Sequence, residues 1–393
     1  MLSYQYRKGD GLIRMLRIRE LFILLICILL LSGCTQQQTD VENITLQDGR
    51  HIEAEDSIFD FAIDESNLYY QGQQGEIYRR SLSDWDNAEL RETIAQVPYE
   101  NDYYTGYPYA TIYEENGSVF YRYHSGGATM GGDYLYRIES EQEPKKIPGR
   151  NYDDYTQLDG FGIRTFGPAV GSVGLGMMYV HEDGTMEQLG PELYRYYVQG
   201  DSYDAKRNVL YVMANAYDTA TQRLSQIDLY ELRLSDGVLT KLSDAAHENY
   251  DVTEDAIYYQ ALQNLYMFDL NTREEKIIVE SDDFVYQYAG TETGVFYACV
   301  ENQNRLLFWN REKDETIQYD INAEVIGLYE QNGYVIAHFA KTTENEPQTV
   351  VFYPDGKRIY VIDEVTDKVT INREDVMVYR IAGTSQLLKV DLG

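Results

Sequence analysis

Few side chains in this 393-residue sequence stand at spacings that do chemistry. The five histidines (His51, His124, His181, His247 and His338) are scattered, with no pair at zinc-ligand spacing. The nucleophile elbow Gly-x-Ser-x-Gly, the Walker phosphate loop, the Rossmann glycine triplet and the Asp-x-Asp-x-Asp-Gly calcium loop are all absent. Gly174-Leu-Gly176 lacks the third glycine, and Asp153-Asp154 and Asp282-Asp283 read as solvated loops. The sequence therefore names no catalytic residue and implies no cofactor or metal. Tyrosine is the residue in excess, with 38 copies. Four of them, Tyr103, Tyr104, Tyr107 and Tyr109, fall in or beside Asn101-Asp-Tyr-Tyr-Thr-Gly-Tyr-Pro108, which reads as a loop. Aromatic rings on a loop can stack against sugar rings or peptide side chains, so these four are the candidate binding residues. The competing reading is a loop folded back on its own neighbourhood. His124 to Gly132 is a second long, glycine-rich connection.

One cysteine does suggest a reaction. Arg7, Lys8, Arg14, Arg17 and Arg19 precede the apolar run Leu21 to Leu31, which is the length of a signal-peptide core and too short to span a bilayer. The run leads into Leu31-Ser-Gly-Cys34, which resembles the bacterial lipobox, in which the cysteine is lipidated and becomes the mature N-terminus. Residues 1–33 are thus expected to be a lipoprotein signal peptide, and 34–43 the lipidated Cys34 with a polar tether. Met15 begins a more typical signal than Met1, so the start codon stays open. This places the body on the outer side of the cell membrane, held by lipid. Cys27 leaves with the signal and Cys34 carries lipid, so Cys299 has no partner for a disulfide and reads as a buried thiol.

Cleavage also sharpens the charge. The whole chain holds 33 basic and 65 acidic side chains; removing residues 1–33 takes five basic and two acidic ones, leaving a body near −35. Such a body has no surface field for nucleic-acid phosphate or anionic headgroups, which excludes nucleic acid as a partner class. An apolar share of 44% still suffices for a large core.

The elements behind these residues repeat. The unit is an alternating strand, a polar turn, an apolar pair with tyrosine, a second turn and another alternating strand. Its clearest copy runs from Tyr250 through Ala-Ile-Tyr-Tyr259 and Leu265-Tyr-Met-Phe-Asp-Leu270 to Val279. Anchors fall at 70, 121, 179, 211, 259, 297, 336 and 378, a mean spacing of 44 residues and the size of a four-stranded propeller blade. Asn116-Gly117 and Asn332-Gly333 are hairpin turns in two copies. The expected fold is all-β: one β-propeller over 44–393, with eight four-stranded blades. Seven blades with an insertion between Lys146 and Val198 is the alternative, because Gly160 to Gly176 is irregular. The last copy supplies three strands, near 367–371, 376–380 and 386–391, while Ile44 to Ile52 is strand-like and belongs to no copy. Pairing the two would close the ring and remove its exposed edges.

Apolar-Tyr-Tyr strands followed by Leu-Tyr-x-x-Asp-Leu resemble bacterial propeller lipoproteins related to the low-density-lipoprotein-receptor-like YWTD repeats, a family of unknown function, with Tyr or Phe at the YWTD tryptophan. The resemblance implies a propeller at the cell surface. Tyr353-Pro-Asp-Gly-Lys-Arg-Ile359 is similar to a turn of TolB-type propellers, and a tight turn between strands accounts for it. Two functions follow. The preferred one is an anchored interaction module for a protein, peptide or wall-glycan partner in the envelope. The other is a propeller enzyme, acting on glycans or as a quinoprotein-like dehydrogenase, with its site at the channel mouth. Tyr217 to Gln222 and Phe268 to Arg273 look like quinoprotein Asp-x-x-Thr-Gly repeats with the glycine replaced. Three or more convergent carboxylate, His or Arg side chains at one mouth would favour the enzyme.

Overall fold

The computed structural model describes residues 42–43, 50–53 and 58–393, apart from 86, 88–89, 100–107, 127–130, 140–142, 149–152, 167–174, 245–248, 281–283, 301–304, 320–322 and 342–346. These residues form eight sheets, each a blade with at least four antiparallel strands. Blade one runs Phe61–Ile63, Asn67–Gln71, Glu76–Ser81 and Glu92–Gln96 from the inside outward. The inner strands of the other blades are Ala110–Glu115, Asp153–Leu158, Tyr194–Tyr197, Tyr250–Val252, Val285–Thr291, Val325–Gln331 and Thr366–Ile371. This is the eight-bladed propeller, with a central channel bounded by the inner strands.

Burial follows position in the blade. The second strand lies between two strands of its own sheet and packs on both faces against neighbouring blades. Hence Ala256–Ala261 and Gly294–Cys299 are buried at every residue; the second is an unbroken apolar run, and the first is apolar apart from Gln260. The outermost strand meets solvent, and Met186–Gln188 is exposed throughout. The core is therefore distributed between blades rather than gathered in one centre. One cluster joins Phe296, Phe308 and Tyr319 of blade six to Val335, Phe339 and Phe352 of blade seven. Asn116-Gly117 and Asn332-Gly333 turn with positive φ at both residues, as a tight hairpin demands. Cys299 is buried and is in no disulfide among the described residues.

The ring closes as the sequence suggests. Arg50–Glu53 pairs antiparallel with Gln386–Asp391 and supplies the missing fourth strand of blade eight. Glu42–Asn43 adds a short fifth strand to blade seven, parallel to Arg358–Ile362. In blade three the anchor chosen from the sequence is off by one strand. Met177–Val180, carrying Tyr179, is the third strand; the second is Phe161–Phe166, inside the glycine-rich stretch. There Gly162 lies under the Tyr155 ring, where an added Cβ would stand 2.4 Å from the hydroxyl, so glycine replaces the usual apolar residue.

Candidate functional site: the two mouths of the channel

Every inner strand runs the same way, so the channel has two unlike mouths. Where the strands end and turn back, a cavity of about 610 Å³ opens, lined by the inner ends of blades two and four to eight. Glu114, Glu115, Asp201, Asp251, Glu292 and Glu330 face it, with Arg373 the single basic side chain among the described residues of its lining. Their placement follows from an edge problem: an inner strand has no sheet neighbour on its channel side, so its backbone N–H groups need other acceptors. Side chains of the adjoining blade supply them. Glu115 Oε2 accepts from Gln157 N at 2.8 Å, Asp201 Oδ2 from Val252 N at 2.7 Å, and Asp251 Oδ2 from Gly290 N at 2.7 Å. Gln331 Oε1 likewise accepts from Ile371 N at 3.1 Å.

Crowding of these carboxyls alters their acidity. Enclosure by protein, and then neighbouring carboxylates, push Glu115 and Asp201 up to about 7, while their backbone hydrogen bonds pull the other way. Enclosure also raises Asp251, Glu114 and Glu330. Protein surrounds Asp201 and Glu330 at the channel wall, yet both keep surface exposed to the channel, so the mouth is an open acidic funnel rather than a closed pocket.

The opposite mouth, where the inner strands begin, is built differently. Twelve large hydrophobic side chains are exposed among the described residues. Eight of them, Phe59, Tyr99, Tyr109, Leu193, Leu262, Phe284, Val300 and Ile326, lie on this face, either at the start of an inner strand or in a connection beside it. Tyr109, 54% exposed, meets Phe59, 40% exposed, edge to face at 6.3 Å. Burial and the Asp60 carboxylate raise the Tyr109 hydroxyl. Polar groups stand next to the pair. Arg380 Nη1 donates to the Ile58 and Phe59 carbonyls, both at 2.9 Å, and Arg380 Nε pairs with Asp367 at 2.7 Å. Beneath them Asp60 joins three blades: its carboxylate accepts from Phe61 N, Ile112 N and Lys368 Nζ at 2.9, 2.8 and 2.7 Å.

Of the binding residues named from the sequence, Tyr109 stands at this aromatic mouth. Tyr103, Tyr104 and Tyr107 lie outside the described residues, as does Cys34. The tyrosines inside the repeat pack: Tyr70, Tyr121, Tyr211, Tyr259 and Tyr297 are buried, and Tyr259 donates to Glu275 and Ser243. Among the described histidines, His124 pairs with Asp133 at 2.7 Å and His338 is half-buried against Thr349 at 2.9 Å. No group of His, Cys, Asp and Glu among the described residues has metal-binding geometry. The quinoprotein-like stretches are turns whose aspartates cap their own backbone: Asp218 Oδ1 accepts from Ala220 N, and Asp269 Oδ1 from Asn271 N and Thr272 N. Sequence reasoning missed the carboxylate mouth, because its members come from separate blades. The detectable signal was an acidic residue recurring at or near the end of several inner strands, as at Glu115, Asp251 and Glu330 of blades two, five and seven.

This architecture, eight blades around one channel, defines a β-propeller. No family model matches the chain, and no curated protein matches it. Solved structures match in shape. Dipeptidyl peptidase 4 of Porphyromonas gingivalis is similar at 12% identity and a TM-score of 0.55, over 87% of this chain and 59% of that one. Sqt1 of Saccharomyces cerevisiae is similar at 9% identity and a TM-score of 0.48, over 91% and 100% of the two chains. The chain thus spans 59% of the length of the peptidase. At such identities the likeness is of fold alone.

Proposed function

We propose that this protein is a lipid-anchored, extracytoplasmic binding module of the bacterial cell membrane, with a protein, peptide or wall-glycan partner in the envelope. The anchor reading rests on the Leu31-Ser-Gly-Cys34 motif behind a basic and apolar leader, and the YWTD-like lipoprotein resemblance agrees with it. The observation that carries the binding reading is the concentration of exposed aromatic and aliphatic side chains on one face, around the Phe59–Tyr109 pair. Rings beside hydrogen-bonding groups such as Arg380 and Asp367 suit a partner with both apolar faces and polar edges. The test is retention of envelope components by the soluble form from residue 35. Tyr109→Ala and Phe59→Ala should reduce retention, because truncating an aromatic anchor commonly costs about 2 kcal/mol or more. Retention unchanged in the double variant would sink the assignment of that face. Cys34→Ala should move the full-length protein from the membrane to the soluble fraction.

A specific observation also favours the enzyme reading: six carboxylates converge on one mouth, two of them with pKa near 7, the range of a general acid. Those carboxylates are occupied as acceptors for backbone N–H groups, which explains them without a reaction. Release of soluble fragments from envelope glycan by the wild type, abolished in Asp201→Asn and Glu115→Gln, would establish the enzyme instead.

A further inference from the structure

The anchor and the fold together set which face of the propeller meets the membrane. Glu42–Asn43 runs parallel to the outer strand of blade seven, with Glu42 opposite Arg358 and Asn43 opposite Ile359. Arg358 directly follows the turn Pro354 to Lys357, and Pro354 lines the carboxylate mouth. The outer strand leaves that turn and runs toward the aromatic face. A parallel partner runs the same way, so Glu42 is the end of the pair nearer the carboxylate face. Eight residue steps separate Cys34 from Glu42 and reach about 29 Å when fully extended. Crossing the height of a blade consumes most of that length: the six-residue strand Tyr334–Phe339 alone rises about 20 Å. A lipid on Cys34 can therefore leave from the carboxylate face with the whole reach to spare, whereas a tether that first crosses the blade keeps only about 9 Å of it.

We propose that the anchored propeller stands with its carboxylate mouth toward the bilayer and its aromatic mouth outward, open to a partner in the wall or medium. The proposal rests on the lipid-anchor reading above. Charge fits this stance without contact. The acidic body gains nothing from anionic headgroups, and a tether that reaches at most about 29 Å leaves it room to stand beyond the ~8 Å Debye length.

Two positions at opposite ends of one strand test the orientation. Lys357 and Asp363 are both exposed and bracket Arg358–Ile362. Lys357→Cys and Asp363→Cys, each labelled with the same fluorophore, would be compared in the full-length lipidated protein on phosphatidylcholine vesicles that carry a headgroup quencher. Cys299 is buried and stays unlabelled in the folded protein. The expected result is a larger loss of fluorescence at 357 than at 363. Equal or reversed quenching on vesicles that carry the protein overturns the orientation alone, since a disc standing on its edge would give equal values. Failure of the wild type to float with vesicles overturns the anchor, and the orientation with it.

Discussion

Asp60 offers the sharpest energetic test, because one carboxylate ties blade eight to blades one and two. Asp60→Ala removes an ion pair to Lys368 at 2.7 Å and leaves Ile112 N–H without its 2.8 Å acceptor. The Asp60 side chain is 5% exposed and that of Lys368 27%, so water replaces little of what is lost. Burial already holds the Lys368 pKa below the usual lysine range, and Asp60 opposes that shift. Breaking a buried pair from one side costs about 3–5 kcal/mol, since the other charge stays behind. With an unfolding entropy of ~2.1 cal/mol/K per residue over roughly 340 residues, that corresponds to a fall in Tm of about 4–7 °C. Urea unfolding of Asp60→Ala, Lys368→Met and the double variant gives the assay. The double variant should lose clearly less than the two singles together, with a coupling of at least ~1.5 kcal/mol. Additive losses, or a change below ~1 kcal/mol in Asp60→Ala, would refute the closure role.

Further outcomes follow from other positions. Glu115 and Asp201 titrate near 7 when folded and near 4 when unfolded, so the folded state holds more protons between those values. Their contribution is therefore most favourable at low pH and is lost as pH rises toward 7; Glu115→Gln with Asp201→Asn should raise Tm relative to wild type at pH 8 more than at pH 4.5. Gly294→Ala would place a Cβ 1.9 Å from the Trp309 carbonyl oxygen and should prevent folding or cost more than ~3 kcal/mol. Gly383→Ala, with φ +73° and open space, should cost only about 1–2 kcal/mol in the same urea titration. Thiol modification of Cys299 in the soluble form should track global unfolding, because the side chain is buried in the second strand of blade six.

What the sequence discloses and conceals has a physical pattern. Local periodicity is visible in sequence, so the eight blades, the hairpins at Asn116-Gly117 and Asn332-Gly333, and the strand that closes blade eight were all legible. Blade three was harder. Its second strand, Phe161-Gly-Ile-Arg-Thr-Phe166, carries a glycine under Tyr155 and a buried Arg164 in place of apolar-Tyr, so the pattern slipped to Tyr179 on the next strand. The tyrosine excess was mostly a packing signature, as Tyr211 and Tyr259 show. Site chemistry was hidden for a different reason: Glu115, Asp201, Asp251 and Glu330 are neighbours only because the ring brings separate blades together. The aromatic mouth is likewise assembled from connections of different blades, and among the described residues Tyr109 links it to a loop the sequence had marked.

Hydrogen–deuterium exchange of the soluble propeller, with and without a saturating envelope fraction, addresses the central claim most directly. The account predicts added protection in the segments around Phe59 to Phe61 and Tyr109 to Ile112, at the aromatic mouth. Protection confined to Glu114 to Asn116, Asp201, Asp251 to Thr253 and Glu292 would place the partner at the carboxylate mouth and contradict it.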